Sequence, residues 1–305
     1  MPDKPQNKQL IVVGGPTASG KTKLAIQLAN HYKTEILSAD SRQFYKELDI
    51  GVAKPTTEEL SAAQHHFIGH KSIHDYYSAG EFERDAIALL DALFQINDVV
   101  ILVGGSGLFI QAVIDGFHAS PKDDGTIRKK VEALYLDKGI DGLRNELKDL
   151  DLKYYETMDQ SNPQRLMRAI ERVHLTGKTH QNQTQIPRKL RDFNTIEIAI
   201  QHPREKLYNR IKRRVDAMME QGLLEEVKSL TAFQGLNSLQ TVGYSELFEH
   251  LNGTYSLDEA IEKVKQNTRR YAKRQITWFK NKTNSTWFAT DDLDNIIAHI
   301  ESNKG

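Results

Sequence analysis

Apolar positions along the chain fall into two rhythms. Short, β-branched runs occur at Leu10–Gly15 ("LIVVGG"), Glu35–Asp40 ("EILSAD"), Asp98–Gly105 ("DVVILVGG"), Asn194–Gln201 ("NTIEIAIQ") and, near the end, Ser285–Thr290 ("STWFAT"). Runs of this kind are the mark of strands buried on both faces. Between them lie segments of helical period, such as "KLAIQLANHY", where Leu24, Ile26, Leu28 and Ala29 give one side that can pack on a sheet. Strands alternating with helices predict right-handed crossovers and a parallel sheet flanked by helices, an α/β fold of P-loop NTPase-like type. Ligands of such sheets bind at the carboxyl ends of the strands, where Gly15, Asp40 and Ser106 fall on one rim.

The long interval between the Asp98–Gly105 and Asn194–Gln201 runs, about Ser120 to Arg191, reads almost wholly as helix. In "NPQRLMRAIERVHLTGK", Asn162 is placed to cap, Pro163 to occupy the first helical position and Gly177 to stop the helix. Leu166, Ile170 and Val173 form an apolar stripe there, with Arg165, Arg168 and Arg172 on another side. "THQNQTQIPRK" after it reads as a polar loop. The expected division is a core of residues 1–119 and 192–305 with a helical insert at 120–191.

The sharpest chemical signal is "GPTASGKT", Gly15 to Thr22. A strand before it, a helix after it and the Gly-x4-Gly-Lys-Thr spacing match a P-loop, in which backbone N–H groups wrap a phosphate at a helix N-terminus. The residues offered to the phosphates are Gly15, Pro16, Thr17, Ala18, Ser19, Gly20, Lys21 and Thr22, with Lys21 as the mobile charge and Thr22 as a ligand for Mg2+. A γ-phosphoryl-transferring enzyme also needs an acid ending a second apolar strand. Here that strand, "VVILVGGSG", ends in glycines, which suits a diphosphate leaving group better. Asp40, at the tip of its strand, is positioned either for proton transfer beside the loop or as a turn cap.

Composition narrows the class further. The chain has 305 residues, 39% hydrophobic and 27% charged, as an ordinary globular protein does. No apolar run approaches the ~20 residues a membrane span needs. The polar start "MPDKPQNKQ" reads as a frayed tail, and the lack of cysteine fits a cytoplasmic enzyme. The net charge of zero argues against a polyanionic partner, but its distribution argues for one. Lys263–Lys282 carries eight Lys or Arg and no acid, and Arg204–Arg214 carries six bases against one Glu. Either run is a solvated helix face or a nucleic-acid footprint. His66, His70 and His74 fall at i, i+4 and i+8, but Gly69 breaks the helix and no acid stands at HExxH spacing, so they read as surface or polar-packing histidines rather than a zinc site. Trp278 and Phe279 read as core anchors of the last basic helix.

The ordered set "GPTASGKT", "DSRQFY" with "DIGVAKP", "HH" at His65 and His66, "YSAGEF", "LVGGSGLFIQA", "NPQRLMRA", "TVGY" and "AKRQITWF", from about Leu10 to Phe279, resembles the bacterial tRNA dimethylallyltransferases (tRNA isopentenyltransferases). The resemblance implies transfer of a dimethylallyl group from its diphosphate to N6 of the adenine at position 37 of tRNA. It implies that the P-loop holds the donor with Mg2+, that Asp40 acts on the amine with Lys21 as a second catalytic group, and that Arg210 and Arg214 lie near the diphosphate, Arg214 being preferred as the catalytic one. It implies contact with the tRNA anticodon arm from Asp40, Ser41, Arg42 and Gln43, from Gln164, Arg165, Leu166, Met167 and Arg168, and from Ser106, Arg128, Gly243, Tyr244 and Arg274. A protein of this kind is expected to work as a cytoplasmic monomer with no obligatory protein partner. Ser106 and Phe109 stand where that family more often has Thr and Tyr, so a hydroxyl is kept at the first position and a phenol lost at the second. An enzyme prenylating free AMP and a P-loop nucleotide kinase remain as alternatives; "NPQRLMRA" favours tRNA and the missing strand-end acid disfavours the kinase.

Overall fold

The computed structural model describes residues 8–116, 125–180 and 190–304. Residues 1–7 of the expected N-terminal tail and most of the polar loop after Gly177 lie outside these residues. Gln9, expected at the end of that tail, is instead buried at the start of the first strand. The chain divides into two compact units, one of residues 1–115 with 191–305 and one of residues 116–190.

The larger unit is built on a parallel sheet of six strands among the described residues, β1 (Gln9–Gly14), β2 (Ile36–Ser38), β3 (His65–His66), β4 (Val99–Val103), β5 (Asn194–Gln201) and β6 (Thr286–Ala289), in the order β3-β2-β4-β1-β5-β6. The fold class read from the sequence is the one observed. Ile11 registers with Ile101 on one side and Ile196 on the other, so β1 lies at the centre with both faces covered. Residues of one strand face, Ile11, Val13, Ile101, Val103 and Ile198, pack against Leu24 and Leu28 of the Lys21–Tyr32 helix and Ile296 and Ile300 of the Leu293–Ser302 helix. Such burial stabilises by about 25 cal/mol per Å2 of apolar surface. The opposite positions, Leu10 and Val12, are buried as well. β3 is the strand the apolar pattern did not reveal, because two polar residues at a sheet edge carry no period.

The smaller unit is helical in its described part, with helices at Thr126–Leu150, Leu152–Thr157 and Pro163–Thr176. The first is interrupted at Gly139, which takes φ 62°. The last begins and ends where the sequence places it: Asn162 accepts from the Arg165 N–H at 3.2 Å, Pro163 opens the helix and Gly177 closes it at φ 63°. Its buried side joins Leu166, Met167, Ala169 and Ile170 to Val131, Leu143 and Leu147. Among the described residues no helix is long and apolar enough to cross a membrane.

The histidines of the His66–His74 stretch sit in unlike places. His66 Nε2 meets Glu35 at 2.5 Å, and the His74 ring stands edge-on to Phe233. His70 packs among Phe44, Phe67 and Tyr77, with ring centroids 6.1, 5.4 and 5.2 Å away, and neither of its ring nitrogens has a hydrogen-bond partner among the described residues. Burial pushes its pKa below the usual 6.5; Lys71 acts in the same direction and Asp85 against it. The folded protein therefore binds fewer protons than the unfolded chain as pH drops below 6.5, and stability is lost there. His70→Phe keeps an aromatic ring and removes the titration. Thermal melts from about pH 7 to about pH 5 should show the variant gaining on the wild type as the pH falls; parallel curves would contradict this.

Candidate active site

The phosphate loop follows β1 and leads into the Lys21–Tyr32 helix. That helix starts at Gly20 (φ 93°) with no side-chain cap and no acid in its first turn, so its first N–H groups and positive dipole end are open to an anion. The Ser19 hydroxyl is fully buried and has no hydrogen-bond partner among the described residues. An orphaned donor inside a loop of this shape fits a phosphate ligand. Ala18 adopts φ 62°, a left-handed conformation that costs a non-glycine residue roughly 1–2 kcal/mol.

That strain is held by distant residues. Arg210 Nε donates to the Ala18 carbonyl at 2.6 Å, and Arg214 Nη1 donates to Thr17 Oγ1 at 3.3 Å, one helical turn further along the Arg204–Glu220 helix. His202 Nε2 and Thr290 Oγ1 both donate to the Ser19 carbonyl, at 2.8 and 3.1 Å. Lys21 Nζ turns back to the Pro16 carbonyl at 2.6 Å. Burial pushes the Lys21 ammonium down to about 7, Arg214 pushes the same way, and Asp40 opposes both. Burial and then Arg210 also lower Arg214, with Glu59 and then Asp40 opposing. Lys21, Arg210, Arg214 and Asp40 thus form one electrostatic group.

Asp40 follows β2. Its Oδ1 accepts from the N–H groups of Arg42 and Gln43 at 2.9 and 3.3 Å, which makes it a turn cap; among the described residues its Oδ2 carries no hydrogen bond and is free for chemistry. Capping and proton transfer are therefore compatible, one oxygen for each. The neighbouring Ser41 N–H donates to Ser106 Oγ at 3.0 Å, tying β2 and β4 together at the rim. The glycines ending β4 are there for contact: a Cβ on Gly104 would lie 2.2 Å from the Ala39 carbonyl oxygen, and one on Gly105 would lie 2.3 Å from Gln275 Nε2.

Several residues that the motifs pointed to are otherwise employed. Gln43 spends its side chain on Ser38 Oγ and on the carbonyls of Val52 and Ala53. Tyr244 is fully buried, its hydroxyl on the Glu226 carboxylate, which also accepts from the Ile50 and Gly51 N–H groups at 2.8 and 3.1 Å. That corrects its reading as an RNA contact: the phenol cannot face a ligand while holding Glu226. Gly243, at φ 98°, opens the same helix, its N–H on Glu246 at 2.8 Å. In the smaller unit Leu166 and Met167 are core residues, so their side chains are likewise withdrawn, whereas Gln164, Arg165 and Arg168 are exposed. There Arg165 approaches Asp159 at 3.8 Å, Arg168 pairs with Glu171 at 3.1 Å and Arg128 with Glu132 at 2.9 Å. Arg42 donates to the Asn237 carbonyl at 3.2 Å.

The basic helix Leu257–Lys282 has two faces. Lys265 is buried in ion pairs with Asp216 and Glu262 at 2.7 and 2.9 Å. Phe279 is buried, but Trp278 only half so; with Lys273, Arg274, Thr277, Asn281 and Lys282 it lines a surface hollow of about 360 Å3. Two residues passed over in the sequence lie on this helix, Tyr271 beside Ser106 and Gln275 on the loop, since uncharged residues inside a basic run look like spacers.

Residues 43–282 match the protein-family model described as IPP transferase. The chain belongs to the IPP transferase family. Similar members include proteins named tRNA dimethylallyltransferase from Flavobacterium johnsoniae, 46% identical over 97% of this chain and 98% of that one, and from Christiangramia forsetii, 48% identical over 96% and 97%. Among solved structures, the tRNA isopentenylpyrophosphate transferase of Bacillus halodurans is similar at TM-score 0.69 and 37% identity, covering 97% of this chain and 95% of that one. A eukaryotic dimethylallyltransferase described as acting on tRNA is similar at TM-score 0.81 and 25% identity, over 98% and 80%.

For this IPP transferase, Tyr244→Phe separates packing from recognition. Losing a hydrogen bond to the half-buried Glu226 carboxylate should lower unfolding free energy by about 1.5–3 kcal/mol in urea, while RNA affinity by filter binding stays at the wild-type value. Weakened RNA binding by a variant of full stability would restore Tyr244 as a contact.

Proposed function

We propose that this chain transfers a dimethylallyl group from dimethylallyl diphosphate to N6 of adenine 37 in the anticodon arm of tRNA, releasing diphosphate. The observation that carries this reading is the grouping of Lys21 and Arg214 with Asp40 at the mouth of a phosphate loop whose neighbouring strand ends in glycine. The adenine amine is a weak nucleophile because its lone pair is shared with the ring. As nitrogen bonds to the allylic carbon, Asp40 takes the amine proton and the C–O electron pair leaves with the diphosphate. Lys21, Arg214 and the N–H groups of the loop and first helical turn stabilise the charge that develops there. Thr22, in that first turn, is the protein ligand we assign to Mg2+. When bound, Mg2+ would neutralise part of the leaving group's charge.

Extruding an adenine from its stack costs a few kcal/mol, and cationic and aromatic side chains offset that. We assign this to Arg42 and Arg274 on the larger unit, where Ser106 offers a hydroxyl contact, and RNA phosphate contacts to Gln164, Arg165, Arg168 and Arg128 on the smaller. The same reading puts the protein in the cytoplasm, working as a monomer.

Incubation with labelled dimethylallyl diphosphate and unmodified tRNA, with AMP and ATP as rival acceptors, should place the label in tRNA. Label in AMP alone would overturn the choice of acceptor. Asp40→Asn keeps an Oδ1 that can cap Arg42 and Gln43, so its melting temperature should hold while single-turnover transfer falls about 10²–10⁴-fold. An early-melting variant with near-normal transfer would reduce Asp40 to a cap. Replacing Arg165 and Arg168 together by Gln should weaken tRNA binding and flatten its salt dependence, because fewer counterions are released; an unchanged salt slope would refute the phosphate contacts.

A further inference from the structure

Gln275 is 6% exposed, and both ends of its amide are engaged. Its Oε1 accepts from the Thr17 N–H at 2.8 Å, and its Nε2 donates to the Gly105 carbonyl at 2.9 Å. One buried side chain thereby staples the phosphate loop after β1 to the exit of β4. The fit is close, since the amide occupies the space a side chain on Gly105 would take. A buried amide that satisfies both its groups has one orientation, so the loop's position is fixed by the helix that carries it.

One turn earlier on the same face of the Leu257–Lys282 helix stands Tyr271. Its phenol lies beside Ser106, the residue after Gly105, and Ser106 Oγ accepts the Ser41 N–H beside Asp40. Arg274 lies over the Tyr271 ring at 5.7 Å. Burial and then Asp40 push the phenol up to about 12, so it stays protonated. The i, i+4 pair therefore reaches consecutive residues at the end of β4, and through them the loop that holds phosphate and the turn that holds the carboxylate.

We propose that Tyr271 and Gln275 are positioning residues through which this helix sets the distance between the donor diphosphate and the acceptor carboxylate, Gln275 fixing the loop and Tyr271 fixing the Asp40 turn. This rests on the function proposed above and goes beyond it in naming what aligns the two substrates. Alignment of reacting groups is worth orders of magnitude in rate, and a misplacement of about 1 Å can cost roughly 10²-fold.

The test uses the full chain, Gln275→Met and Tyr271→Phe, read by calorimetric titration with inorganic diphosphate and by single-turnover transfer at saturating donor and tRNA. Gln275→Met leaves Thr17 N–H and Gly105 C=O unpaired, so diphosphate affinity should drop about tenfold. The saturated rate should fall about tenfold as well, because the loosened loop no longer aligns the donor. Tyr271→Phe should keep diphosphate affinity within about twofold and lower the saturated rate about tenfold. If Gln275→Met does not fold, Gln275→Asn, with the same groups on a shorter arm, takes its place with the same expected loss of affinity. Variants that melt earlier yet keep both parameters, or a Tyr271→Phe variant that loses diphosphate affinity as Gln275→Met does, would overturn the proposal. Failure of the wild-type protein to transfer would sink the proposed function instead, and the diphosphate titration would still judge Gln275.

Discussion

Lys21, Arg210 and Arg214 crowd a single loop, and the repulsion among them is the constraint on which the rest of the site depends. Burial makes it worse, lowering both Lys21 and Arg214. Each cation is held by an oxygen of the loop itself, Pro16, Ala18 or Thr17, so the charges that would push the loop apart are also what shapes it. Asp40 is the one carboxylate offsetting both Lys21 and Arg214, which couples the acid–base group to the phosphate site before any chemistry occurs. The open end of β4 belongs to the same balance: with glycines in place of an acid, the pocket keeps a positive excess suited to an anion.

The reach of the sequence followed the range of the interactions. Strands β1, β4 and β5, the P-loop and the Asn162–Gly177 helix were legible because their causes are local: apolar runs, glycine spacing, a cap and a stop. The Asp40 dilemma between cap and base was legible too, though not that its two oxygens divide the roles. What could not be read came from long-range partners. Gln275 meets Thr17 across most of the chain, and no local pattern marks a glutamine that will be buried among basic neighbours. Tyr244 sits in a motif that suggested recognition, yet it packs under the Ile50–Gly51 turn through Glu226. Leu166 carried two readings, stripe and contact, and packing kept the first.

The two units each have a core of their own, an α/β core around Ile11 and Ile101 and a helical core around Leu147 and Ile170. A net charge of zero hides the basic runs, because acids such as Glu226 and Glu262 are engaged by backbone N–H groups and by Lys265. A neutral total is no argument against a polyanionic partner when the acids are already committed.

The phosphate loop is made of residues 14–22, but it is finished by His202, Arg210, Arg214, Gln275 and Thr290. On the ribosome the loop emerges first and its supports last. A nascent chain can build β1 and the following helix early, yet Ala18 has no reason to hold its strained conformation until the Arg204–Glu220 helix docks, and Ser19 is not secured until the segment after β6 has left the exit tunnel. Binding of the donor thus depends on residues made long after the motif, and a product truncated before Arg204 would carry the motif without Arg210, Arg214, Gln275 and Thr290.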